Sequence, residues 1–190
     1  MKPTRSLFAL LVLPIALLAS PAVRSAPFVV DAYANSSTGG SGVNTVSLGL
    51  GQLFSVTVNP ADLWNAGALP RWSNADGLSG PLFATGSDDS GYASGTQIGS
   101  NFGLWTQGGL SAPYGALVGS IGGGNYFLIG TSYSGHATAS GTLQLFYWDS
   151  NFSDNTERIT ANVVAVPEPG SWALLLAGLG LLGVAARRRA

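Results

Sequence analysis

Apolar residues in the middle of this chain recur at every second position, and that spacing constrains the fold more than any other feature of the sequence. Phe54, Val56 and Val58 alternate with Ser55 and Thr57; Leu143, Leu145 and Tyr147 with Thr142, Gln144 and Phe146; Ile159, Ala161, Val163 and Ala165 with Thr160 and Asn162. A period of two sends successive side chains to opposite faces of an extended backbone, so each segment reads as a half-buried strand. Residues 28–33, 43–50, 116–121 and 126–129 are further candidates, each bounded by Gly, Asn or Ser, which suit turns. About seven strands result, with helix limited to a turn around 60–64. The predicted fold class is all-β: an antiparallel, jelly-roll-like sandwich whose two sheets share an inner face.

Two stretches interrupt the pattern. Residues 35–42 are rich in Ser, Gly, Asn and Thr and read as a mobile loop. Residues 74–109 are dense in Gly, Ser and Asp, with only isolated Leu82, Phe83, Ile98, Phe102 and Trp105. Bare connections rarely exceed about 15 residues, so this insertion is expected to be a lid over one end of the sandwich or an added hairpin.

The two ends carry a different pattern. Lys2 and Arg5 precede an apolar run from Leu7 to Ala19 and then Ser20, Pro21 and Ala22, the order of a secretory signal peptide over residues 1–22, or to 25 if cleavage follows Ser25. Cleavage after Ala22 places small Ser20 two residues upstream. Signal peptidase is therefore an expected partner, and the domain proper runs over 27–166. At the other end Val166-Pro167-Glu168-Pro169-Gly170 leads into an uncharged apolar stretch, 171–186, and then Arg187, Arg188 and Arg189. Sixteen helical residues reach about 24 Å, short for a hydrocarbon core of ~30 Å, with Trp172 placed for one interface and arginines for the other. A transmembrane helix with its arginines in the cytoplasm leaves the central domain on the outer face of the inner membrane until release. This tail closely resembles the PEP-CTERM sorting signal over 166–190: Pro167, Glu168 and Pro169 match its Pro-Glu-Pro, followed by a short helix and terminal arginines. The resemblance implies a Gram-negative exporter of extracellular polysaccharide, and an exosortase that cuts near Pro167–Pro169 and frees or transfers the protein. A plain tail anchor explains the helix and arginines but not the two prolines flanking Glu168.

Charge excludes one class of partner. Between Pro27 and Val166 lie two basic residues, Arg71 and Arg158, against eight acidic ones, a formal charge of −6. Nucleic acid is excluded, because binding a phosphate backbone needs clustered cations. There is no cysteine, which removes disulfides and thiolate metal sites. The single histidine, His136, lies in a polar Ser-Gly-His context, too few nitrogen ligands for zinc and no partner for a catalytic triad. Asp88 and Asp89 are neighbours in a Gly/Ser loop, not carboxylates facing one another across a cleft. The chain is expected not to be an enzyme.

What remains is a run of oxygen ligands, Tyr147-Trp148-Asp149-Ser150-Asn151-Phe152-Ser153-Asp154-Asn155-Thr156-Glu157, between two strands. Asp149 ends one strand, and the adjacent Asp154 and Asn155 follow five residues later. A loop of this length can fold back on itself so that the three side chains and intervening carbonyls converge. Calcium takes roughly 6–8 hard oxygens in flexible geometry, which such a loop suits better than magnesium's octahedron. The alternative is a solvated turn in which Asp and Asn bond their own backbone.

Blocks around this loop resemble the PA-IL-like galactose-binding lectin family over about 28–166. Gly51-Gln52-Leu53-Phe54-Ser55-Val56-Thr57-Val58 leads to a strand at Trp64; Gly115-Ala116-Leu117-Val118-Gly119-Ser120-Ile121-Gly122 and Phe127-Leu128-Ile129-Gly130 follow; then Ser140-Gly141-Thr142-Leu143 enters the strand to Asp149. The resemblance implies a small β-sandwich and a calcium ion in the last loop, its coordination completed by sugar hydroxyls. Asp149, Asp154 and Asn155 would supply side chains, and Phe152 (or Ser153) and Gly67 carbonyl oxygens. Trp148 or Tyr147 would lie against the apolar face of the sugar. The chain departs from the family at Trp148, where Asn is common, at Thr156-Glu157, where Ser-Gly is common, and in the long 74–109 insertion. These readings describe an exported, calcium-dependent carbohydrate-binding protein whose partner is a saccharide or exopolysaccharide. The alternative is a structural surface or matrix protein on the same fold without sugar affinity.

Overall fold

The computed structural model describes residues 24–166, 177–183 and 187. The expected signal segment with Ala22, the Pro167-Glu168-Pro169 triplet, Arg188, Arg189 and most of the expected helix 171–186 lie outside the described residues. The chain divides into two units, Ala22–Glu168, and Met1–Pro21 together with Pro169–Ala190. In the second of these, 177–183 is helical, and Leu179, Leu181 and Leu182 are exposed, as is Arg187. Among the described residues no helix is long and apolar enough to cross a membrane.

The larger unit is all strands: β1 (Arg24–Asp31), β2 (Val43–Leu48), β3 (Leu53–Val58), β4 (Trp64–Asn65), β5 (Trp72–Ser73), β6 (Leu82–Phe83), β7 (Gln97–Gly99), β8 (Leu104–Gln107), β9 (Leu110–Pro113), β10 (Leu117–Ile121), β11 (Tyr126–Leu128), β12 (Ser132–His136), β13 (Gly141–Tyr147) and β14 (Arg158–Ala165). Two four-stranded sheets form the body, in the orders β1-β14-β3-β12 and β11-β10-β13-β2, and every neighbouring pair is antiparallel. The alternating residues meet between them. Val30, Phe54, Val56, Val58, Ile159, Ala161 and Val163 from the first sheet pack with Leu48, Leu117, Ile121, Leu143, Leu145 and Tyr147 from the second in one buried cluster. Period-two spacing in β3, β13 and β14 thus becomes an inner face, and burial of that face drives the sheets together.

The insertion is built from hairpins rather than a lid. β6 pairs with β7, and β8 with β9 across the Gly108-Gly109 turn, where both glycines have positive φ (55° and 83°). That conformation is the two-residue turn whose twist matches paired strands. Leu63, Trp72, Ala84 and Ile98, with Leu82 against them, make a second small core, so the apolar residues of the insertion that read as isolated include the seeds of a folded annex. A third cluster gathers Ala112, Ala116, Val118, Phe146 and Trp148 under Trp105, Leu110 and Tyr126. The β8–β9 hairpin therefore covers the outer face of β10 and β13, and β13 is buried on both sides.

Other expectations shift in detail. His136 closes β12 instead of sitting in a loop, and its side is exposed. The 35–42 segment, expected to be a mobile loop, is attached to the body: Ser36 is buried and bridges Tyr147, and its neighbours are hydrogen-bonded to that strand's end.

Candidate functional site

The loop between β13 and β14 is held at both ends by backbone. The Tyr147 N–H donates to the Asn35 carbonyl (3.0 Å), and the Ser37 N–H donates to the Tyr147 carbonyl (2.8 Å). The Asp149 carbonyl accepts from the hydroxyls of Thr38 (2.7 Å) and Ser37 (3.3 Å). On the far side Asn65 and Thr156 exchange two N–H···O bonds of 3.0 Å each, tying the loop to β4. Polar Ser, Thr and Asn residues of 35–38 thus serve to fix a strand end, and the loop after Trp148 starts from a defined position.

Within that frame Asp149 is 5% exposed and Asn155 3%. The Asp149 Oδ1 accepts the Ser150 N–H at 2.6 Å and, more weakly, the Asn151 N–H at 3.4 Å. Burial pushes the Asp149 carboxyl up; the N–H groups of Asn151 and Ser150 and the nearby Asn155 side chain oppose it, and the Asp154 charge adds to it. The Tyr147 hydroxyl is likewise driven up, first by burial and then by the charges of Asp149 and Asp154. A carboxylate out of water without a cation is costly, and the charge of Asp154 in the same loop adds to the cost at Asp149. Asn155 donates from Nδ2 to the Ala32 carbonyl (3.1 Å), while its Oδ1 is buried with no hydrogen-bond partner. A buried acceptor left unmade costs about 1–3 kcal/mol, and a cation is one way to satisfy it.

Asp154 is more open. Its Oδ1 accepts Asn151 Nδ2 (2.9 Å), and its Oδ2 lies 3.6 Å from Arg71 Nη1. Gly67 presses its backbone against the same carboxylate: φ is 111°, and a Cβ built there would collide with Asp154 Oδ2 and stand 3.4 Å from Arg71 Nη1. Only glycine suits both the conformation and the space. The Phe152 carbonyl accepts the Asn155 N–H (3.2 Å), closing the turn that brings Asp154 and Asn155 round.

Of the residues singled out from sequence, Asp149, Asp154, Asn155, Phe152 and Gly67 are thus gathered in one region. Tyr147 and Trp148 are not available as sugar platforms. Both are 0% exposed; Tyr147 meets Trp64 edge-on in the core, and Trp148 is sealed by the β8–β9 hairpin, its Nε1 donating to the Trp105 carbonyl at 3.0 Å. The aromatic rings at this loop's rim are instead Phe152, which packs on Gly39, and Tyr33, half exposed and edge-on to Phe152 at 5.3 Å. Arg71 and Asn151 were also missed. An arginine that is one of two in an acidic domain was the signal available for the first; Asn151 gave none beyond its place in the loop.

Among the described residues no three His, Cys, Asp or Glu side chains gather as a metal cluster. The groups that do gather are two carboxylates, an unpaired amide oxygen and backbone carbonyls, an all-oxygen set whose chemistry would fit a hard divalent cation and no soft one. Two clefts lie elsewhere, of about 170 Å³ beside Trp72 and Asp76 and about 290 Å³ beside Asp62, Asp88 and Asp89. Their carboxylates already serve the fold: Asp76 accepts from Thr131, Asp89 from the Leu63 N–H and Asp62 from the Thr160 N–H.

No curated protein matches the chain. Among solved structures it is similar to one described as "EclA N-terminal domain; PllA-like lectin", with a TM-score of 0.44 and 18% identity, covering 73% of this chain and 94% of that one. Residues 165–189 match the family model of the PEP-CTERM protein-sorting motif, which takes in Pro167, Glu168, Pro169 and Arg187 to Arg189. The chain thus ends in a PEP-CTERM motif, the mark of a protein exported and sorted to the surface through an exosortase.

Proposed function

We propose that the β-domain is a calcium-dependent carbohydrate-binding module without catalytic activity, delivered by its sorting signal to a polysaccharide-bearing surface. The observation that carries this reading is the buried, unpartnered Oδ1 of Asn155 beside the buried carboxylate of Asp149. Calcium would be held by Asp149, Asp154, Asn155 and the carbonyls of Phe152 (or Ser153) and Gly67. Bound there, it supplies a positive centre on which vicinal sugar hydroxyls replace water. The chain's own residues do the rest. The 35–38 segment and β4 fix the loop, Gly67 leaves room for Asp154, and Tyr33 and Phe152 present apolar ring surface for one face of a sugar. Before processing, the helix whose Leu179, Leu181 and Leu182 stand exposed is the anchor to the inner membrane, and signal peptidase and exosortase act on either side of the domain.

A second reading, a matrix protein without sugar affinity, is favoured by Arg71, which already offers Asp154 a cation from within the chain. Calorimetry on the processed protein separates the two. The lectin reading expects calcium-dependent heat with at least one of a panel of galactose, glucose, mannose and extracted exopolysaccharide, abolished by chelator and by Asp149→Ala. Calcium without saccharide heat supports the matrix reading, and neither heat overturns the cation site.

A further inference from the structure

Arg71 is the cation beside the candidate loop, in a domain of residues 27–166 that has one other arginine and no lysine. Its guanidinium carbon lies 4.5 Å from the centre of the Phe102 ring. Nη1 is tied at one corner, 3.6 Å from Asp154 Oδ2 and donating to the Ala66 carbonyl at 3.4 Å. Among the described residues Nη2 and Nε have no hydrogen-bond partner, and the side chain is 35% exposed. Phe102 is itself fixed: its N–H donates to the Leu78 carbonyl (3.1 Å), and Tyr114 meets it edge-on at 5.2 Å.

A guanidinium laid over an aromatic ring and pinned at one corner keeps its remaining N–H edge free and oriented. That planar fork matches a carboxylate through two parallel hydrogen bonds, at little loss of side-chain freedom. Neutralising Asp154 does not require it; a lysine without a ring beneath it would do that. Nor does long-range steering, since the domain's charge of −6 repels anions at a distance. The function left for a fixed fork at this rim is short-range recognition.

We infer that Arg71, held by Phe102, reads a carboxylate on the saccharide bound at the Asp149–Asn155 loop, so that the preferred ligand is an acidic sugar of the hexuronic class. The inference rests on the carbohydrate-binding reading above and adds the ligand's charge to it. It also gives the 74–109 insertion a role, because the insertion contributes Phe102. Arg71 is then a specificity-determining residue.

The test uses the processed protein at saturating calcium and three pairs of methyl glycosides, galactose with galacturonate, glucose with glucuronate and mannose with mannuronate, compared by calorimetry. At least one acid should bind about tenfold more tightly than its neutral partner, with the advantage shrinking as salt rises. Arg71→Gln should erase that ratio whatever it does to the affinity for the neutral sugar, and Arg71→Lys should lose most of it despite keeping the charge. Phe102→Leu should lower the ratio by a smaller factor, through loss of the ring that orients the fork. A purely structural arginine would move the melting temperature and leave the acid-to-neutral ratio untouched. Should Arg71→Gln fail to fold, Arg71→Lys and the salt dependence decide the same question. Calcium-dependent binding of neutral sugars with no acid advantage overturns this inference and leaves the carbohydrate reading standing. No saccharide of either kind bound overturns both.

Discussion

Tyr147 and Asn155 each bury a polar atom with no partner, yet they predict opposite responses to truncation. The Tyr147 hydroxyl lies in the core against Trp64, so Tyr147→Phe removes an unsatisfied group and should be neutral or stabilise by up to about 1–2 kcal/mol, read as a denaturant midpoint, with saccharide affinity unchanged. A role for that ring in stacking on sugar would instead cost affinity. Asn155→Ala loses the bond to the Ala32 carbonyl, about 1 kcal/mol without calcium, and should cost calcium affinity tenfold or more in titration. Gly67→Ala adds a methyl where φ is 111° and the Asp154 carboxylate already sits. It should destabilise the domain by about 1–3 kcal/mol and weaken calcium binding, since Asp154 must move to admit it. If Gly67→Ala lowers the melting temperature with calcium affinity intact, the Gly67 side of the site is wrong.

Among the elements, the Thr85–Ser90 turn in the β6–β7 hairpin is built around Asp88. Its carboxylate accepts from the Ser90 hydroxyl and the Thr85 N–H, and these bonds lower its pKa from 3.8 to about 2. A depressed carboxylate pKa stabilises the fold above its unfolded value, and that stability fades as pH falls from about 4 through about 2. Because Asp88 lies in a surface turn, solvent screening keeps the effect under about 1 kcal/mol. Asp88→Asn should therefore melt earlier than the parent at pH 6 and no earlier near pH 2; an equal deficit at both pH values would assign the loss to packing. How much of such elements was legible follows from their side chains. β3, β13 and β14 alternate large apolar with small polar residues and were readable to within a residue or two of each end. β12, Ser-Tyr-Ser-Gly-His, has one large apolar side chain and so no period to detect. The β8–β9 hairpin was not placed from sequence: its strands are short and their purpose is nonlocal, since they cover Phe146 and Trp148. The same cover is what removes Trp148, expected to face a sugar, from solvent. The gathering of Asp149, Asp154 and Asn155 was legible because they are neighbours in sequence, whereas Arg71 reaches them from β5's approach and only the fold could bring them together.

For the whole molecule, a domain with β1 running from Arg24 and paired Arg24↔Ala165 sets where processing can fall. Cleavage after Ala22 keeps β1 entire, while cleavage after Ser25 removes its first two residues. N-terminal sequencing of the exported protein should begin at Val23, and a start at Ala26 would mean that the strand is trimmed in the mature form. Sorting and binding are separable in the proposed function: the 165–189 motif governs delivery, and the loop of Asp149, Asp154 and Asn155 would govern what is held on arrival. Removing Arg187 to Arg189 should change where the protein accumulates, seen by fractionation, without changing its calcium affinity. The most direct test of the central claim is the thermal melt of the processed protein as calcium is raised. The account predicts a melting temperature that climbs with calcium by mass action, worth about 2.7 kcal/mol at a hundredfold excess over Kd, and that no longer responds in Asp149→Ala; superimposable melts with and without calcium would contradict it.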